Sequence, residues 1–105
     1  MSILNTAPLV KKAYSTITSS TTISVTLKLD ANAKFYSIVL LDDTQITDKP
    51  FFYGHIYCSS TEDVIIPVSQ QQITSTSYDN STSVLTFTLD SAFSGTFCLS
   101  YTRND

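Results

Sequence analysis

Glycine, histidine and charge are scarce in this sequence. Of 105 residues two are glycine, one is histidine and none is tryptophan, and charged side chains make up 14%, against about 25% in an average soluble domain. A phosphate-cradling loop needs several glycines in close succession, which Gly54 and Gly95 do not supply. Neither stands in a Gly-x-Ser-x-Gly elbow, the strained turn that presents a hydrolase serine. Serines and aspartates abound, so a Ser/His/Asp set around His55 can be assembled on paper in many ways, and that freedom makes it uninformative. One histidine and two distant cysteines do not make a zinc set. Asp42, Asp43 and Asp48 lack the Asp-x-Asp-x-Asp-Gly spacing of a calcium loop. The expectation is a non-enzymatic chain with no catalytic, cofactor or metal site.

The scarcity of charge also bears on partners. The net charge is −3, and of the basic residues only Lys11 and Lys12 are adjacent. A nucleic-acid binder concentrates its cations in a stripe, because each neutralised phosphate releases counterions. No nucleic-acid partner is expected. No apolar run approaches the roughly 18 residues of a membrane helix, so no membrane partner is expected either. The lysines follow the apolar start of the chain, whereas a secretory signal places them before it. Without such a signal Cys58 and Cys98 read as reduced, buried small hydrophobes in preference to a disulfide.

Hydroxyls take the place of the missing charges. Serine and threonine fill 32 positions and alternate with large apolar residues, most cleanly from Thr22 to Leu29, where Ile23, Val25, Leu27 and Leu29 alternate with polar side chains. Successive side chains of a strand point to opposite faces, so this pattern buries one face and wets the other. No segment keeps a helical period. The alternation predicts strands at 13–18, 22–29, 34–41, 51–58, 64–68, 73–78, 84–89 and 96–102, separated by turns rich in Asp, Asn and Ser. The last three are expected to form a meander, with Gly95 in its final turn. Pro67 cannot donate to a ladder and requires an edge or a bulge. The expected fold is all-β: a single antiparallel β-sandwich of about seven or eight short strands, jelly-roll or immunoglobulin-like, or a small barrel.

Residues 1–10 read as an extended arm ahead of a domain spanning 11–105. Pro8 removes a backbone donor, and Ile3, Leu4, Leu9 and Val10 are apolar enough to dock on something. In residues 51–58 the alternation puts Phe51, Tyr53, His55 and Tyr57 on one face, opposite Phe52, Gly54, Ile56 and Cys58. Rings with polar tips suit protein interfaces and sugar-stacking sites, although a strand covered on both faces would show the same pattern. Interface residues are therefore expected at Ile3, Leu4, Leu9, Val10, Phe51, Tyr53, His55 and Tyr57.

Short hydroxylated side chains lose less entropy than lysine or glutamate when packed against a neighbour. The surface therefore suits contact among protein subunits, of its own kind or of a capsid or tail. The expected role is a structural or assembly protein. A small accessory protein of a virus particle fits best: a phage capsid decoration, collar or tail component made in the cytoplasm and ending in the virion. The alternative is a carbohydrate- or receptor-binding module using the aromatic stripe, with a glycan as partner, or a protein that stays cytoplasmic.

Overall fold

A computed structural model describes residues 10–29, 35–43, 50–58 and 63–104. Of these, 84% are strand and none is helix. They form six strands: β1 (Val10–Thr26), β2 (Phe35–Asp42), β3 (Phe52–Cys58), β4 (Asp63–Gln70), β5 (Ile73–Asp79) and β6 (Val84–Arg103). All pairings are antiparallel, in the order β1-β6-β2-β3-β4, with β5 also paired to β6.

Two of these strands are far longer than their neighbours. β1 joins the segments expected as separate strands at 13–18 and 22–29, and β6 joins 84–89 to 96–102. The expected meander is corrected accordingly: residues 90–95 do not turn back, and Gly95 pairs with Ile17 inside the ladder. The ladder accommodates this by two slips in register: between Ile17 and Ser20 the extra residue is in β1, and between Ser20 and Thr22 the extra residues are in β6, between Thr88 and Phe93. At the first slip Ser19 takes a left-handed φ of 45° and donates its N–H to the Ser94 hydroxyl at 2.8 Å. Such bulges bend a ribbon without ending it. Phe93 anchors the bend by packing on Phe51 and Phe97.

The β1–β6 ribbon thereby serves two portions of the sheet. Its Val10–Ile17 and Gly95–Arg103 half continues into β2, β3 and β4, while its Thr22–Thr26 and Val84–Leu89 half continues into β5. The chain passes from β4 to β5 through Gln71 and Gln72. Gln71 donates its N–H to the Phe51 carbonyl, and the Gln72 carbonyl accepts from the Asp90 N–H. Both portions feed one core, built from Ile23, Val25 and Leu27 of β1 and the residue after it, Tyr36, Ile38 and Leu40 of β2, Phe52 and Ile56 of β3, and Leu85, Phe87, Phe97 and Leu99 of β6. The alternation expected from 22 to 29 is obeyed: Ile23, Val25 and Leu27 are buried and the hydroxyls between them exposed.

β4 follows the expectation for Pro67. Among the described residues it pairs on one side only, with β3, and its register slips beside Gly54, which pairs with Pro67. Gly54 is required there. A Cβ at that position would stand 2.5 Å from the Ile66 carbonyl oxygen and 2.9 Å from the Phe52 ring.

Candidate functional site

Cross-strand partners in an antiparallel ladder share a face, so the register identifies what the β1-β6-β2-β3-β4 portion turns away from the core. One row runs Val10, Thr102, Ser37, His55 and Ile66; the next runs Lys12, Ser100, Val39, Tyr53 and Ser69. Tyr14, Cys98 and Leu41 extend this face at one end, and Phe35, Tyr57 and Val64 at the other. The exposed large apolar side chains of the described residues are Val10, Tyr14, Leu41, Tyr53, Tyr57, Val64, Ile66 and Val68. Seven of these stand in the rows just named, and Val68 occupies the β4 bulge beside them.

The outward side of the other portion has a different character. There the rows read Thr22, Thr88, Ser75 and Ser24, Thr86, Ser77, closing with Thr26, Val84 and Asp79. This is the hydroxyl surface expected from composition. The aliphatic and aromatic surface is confined to the five-stranded portion.

Among the described residues, His55 is the centre of the one ring cluster on that face. Phe35 stacks on it at 4.9 Å between centroids and 20° between planes. Tyr53 lies at 6.0 Å from His55, and Tyr57 meets the edge of Phe35 at 6.3 Å. Beneath the rings, Ser37 Oγ is 3.3 Å from His55 Nδ1 and accepts a hydrogen bond from the Asn104 amide. Tyr53 and Tyr57 are 38% and 43% exposed, leaving part of each ring available to a partner.

Three of the four residues expected in the aromatic stripe, Tyr53, His55 and Tyr57, thus share the outer face. Phe51 does not. It is 9% exposed and sits edge-on to Phe93 and Phe97, at 5.7 Å and 5.1 Å. It precedes β3, donating its N–H to the Leu40 carbonyl, so strand alternation does not govern its side chain. Of the arm, Val10 opens β1 and is exposed, while Ile3, Leu4 and Leu9 lie outside the described residues. Sequence reasoning missed Phe35, Ser37, Asn104, Val64 and Ile66. Only the register brings these beside His55; period-two alternation in β2 and β4 would have assigned a face to each but not a neighbour.

The Ser37–His55 contact resembles part of a nucleophile and base pair. Ser37, however, lies mid-strand in β2, paired with β3 on one side and β6 on the other. Its backbone is thus held in two ladders, unlike the strained turn that presents a hydrolase serine.

The cysteines occupy opposite faces. Cys58 follows the inward alternation of Phe52 and Ile56, whereas Cys98 is on the outer side, paired with Tyr14. β2 separates their strands. Both thiols are free. Burial, followed by the charge and hydrogen bond of Asp63, pushes the Cys58 thiol up to about 11. It is not an activated nucleophile. Among the described residues no three His, Cys, Asp or Glu side chains converge as metal ligands, and no helix is long and apolar enough to cross a membrane.

Comparison with protein-family models, with curated proteins and with solved structures finds no match to this chain.

Proposed function

We propose that this chain is a non-enzymatic structural subunit of a larger assembly, acting through its β-surface and its N-terminal segment. The observation that carries this reading is the segregation of the surface: one outward face is hydroxyl-rich, and the other gathers the exposed large apolar side chains. Contiguous apolar surface on a small protein marks an interaction site, and an aromatic and aliphatic centre with a polar rim is the composition of a protein interface. The most specific form of the reading is an accessory protein of a virus particle, a phage capsid decoration, collar or tail component, made in the cytoplasm and carried in the virion. The fold that goes with it is a two-layer sandwich, in which the β5-bearing portion covers the core side of the β2–β3–β4 portion. Two contacts support that closure: Phe52 against Phe87 across unpaired strands, and the Lys28 N–H donated to the Tyr101 hydroxyl at 3.0 Å.

The second reading, a carbohydrate- or receptor-binding module, is favoured by one local feature. Tyr53 and Tyr57 offer partly exposed rings beside the polar groups of Ser37, His55 and Asn104. Exposed Val64 and Ile66 next to these rings weigh toward a protein partner.

Crosslinking with mass spectrometry in the native source, combined with a glycan array on the purified protein, separates the two. Crosslinks from this face to capsid, tail or sister subunits, with no glycan response at millimolar ligand, are expected. A saturable glycan response quenching tyrosine fluorescence, without protein neighbours, would overturn the structural reading.

A further inference from the structure

We infer that the outer face of the β1-β6-β2-β3-β4 portion is the contact surface for a second copy of this chain, the two sheets packing face to face. The inference rests on the structural reading above and names the partner of that surface. Two properties of the face select the occupant. The first is charge. The protein carries a net charge of −3, yet the rows of this face contain no carboxylate, and Lys12 is their one fixed charge. Among the described acids, Asp42 is buried, Asp63 pairs with the inward Cys58 and Asp79 closes the hydroxyl face, while Asp43, just after β2, acts electrostatically on Tyr14 and so borders the face at that end alone. A strongly charged partner would gain little on so sparsely charged a face, and a second copy of the same face meets little like-charge opposition.

The second property is size. Five strands at about 4.8 Å spacing and about seven residues at a 3.4 Å rise make a face of roughly 24 Å by 24 Å. With side-chain relief added, this approaches the roughly 800 Å² per partner of a standard interface. A two-fold contact uses the same patch on both subunits, so one face supplies both halves. Face-to-face sheets about 10 Å apart interdigitate side chains in this way, and the apolar end formed by Tyr57, Val64 and Ile66 would be its driest part.

Sedimentation equilibrium on the full chain, from low to high micromolar, tests this. Reversible dimerisation is expected, weakened about tenfold by Ile66→Thr and again by Tyr57→Thr, as truncated apolar anchors in the driest part of an interface do. Both positions are exposed, so melting temperature should hold, and Ser77→Lys on the hydroxyl face should leave the dimer unchanged. A chain that stays monomeric throughout overturns the inference, whatever covers the face instead, residues 1–9 included. A dimer indifferent to both face variants but disrupted by Ser77→Lys overturns it as well. If a variant loses its fold, protection of the wild-type Tyr53 and Tyr57 ring protons from a soluble paramagnetic probe decides. Protection rising with dimer fraction supports the inference, and unchanged exposure overturns it. A monomer that still joins a heterologous particle would overturn this inference alone and leave the structural role standing.

Discussion

Phe52 of β3 and Phe87 of β6 hold their ring centroids 5.2 Å apart, although their strands are not neighbours in the sheet. Both rings are fully buried. The pair ties the β5-bearing portion of the sheet to the portion that carries the candidate site, so the two faces of the molecule depend on it.

Phe87→Ala should therefore be severe. Removing a buried phenylalanine leaves a cavity and costs about 3–5 kcal/mol, a large part of the about 5–15 kcal/mol that holds a domain folded. Denaturant unfolding measures it. A loss below about 1 kcal/mol would mean that the two portions do not share a core.

Backbone geometry gives two substitutions of opposite sign. Gly54→Ala sets a methyl group 2.5 Å from the Ile66 carbonyl oxygen, which belongs to a paired strand and cannot swing aside, so a loss of about 1–3 kcal/mol is expected. Gln72→Gly relieves a left-handed φ of 61° at an exposed residue and should gain up to about 1 kcal/mol. Thermal melts of both variants check the signs; a stabilised Gly54→Ala would contradict the β3–β4 register.

Thr76 pairs with Phe87, and its Oγ1 is buried without a hydrogen-bond partner. Such a hydroxyl carries an uncompensated desolvation cost of about 1–3 kcal/mol. Valine keeps the branched shape and removes the polar atom, so Thr76→Val should raise stability by about 1 kcal/mol. A destabilised variant would reveal a partner for that hydroxyl in solution.

Asp79 closes the β5–β6 hairpin. Its carboxylate accepts the Ser81 hydroxyl at 2.6 Å and the Ser81 N–H at 2.9 Å, and these bonds hold its pKa below the ordinary aspartate value of 3.8. A group depressed in the folded state contributes stability that is complete above its unfolded value and disappears as the pH falls through the folded one. Asp79→Ala should lower the melting temperature near neutral pH and converge on wild type in acid. Melting curves that stay parallel through the acid range would exclude this linkage.

The strand faces were legible in the sequence because side-chain alternation is a local property. Ile23, Val25 and Leu27 had to point one way, and Tyr53, His55 and Tyr57 the other. Pro67 likewise announced an edge or a bulge, since it lacks a backbone donor. Phe51 misled because a residue just outside a strand does not obey the strand's period. The turn expected at 90–95 failed for a related reason: its Asp, Ser and Gly content permits a turn, but Phe93 found a buried partner in Phe51, and tertiary packing kept the chain extended.

The amino-acid order thus determined an all-β chain with one apolar and one hydroxylated side to its strands. It excluded glycine-built phosphate loops and left too few ligands for a zinc set. Only the tertiary structure decided that 10–26 and 84–103 run as two continuous bent strands, and that β2 and β4 flank β3. It alone gathered Phe35, Ser37, Val64 and Ile66 around His55, and set the hydroxyl and apolar surfaces on separate faces. Alternation is a relation between neighbours along the chain, whereas register and order are relations between distant segments, 80 residues apart in the Thr16–Thr96 contact. Those are settled by which hydrogen-bonded arrangement buries the most apolar surface at once.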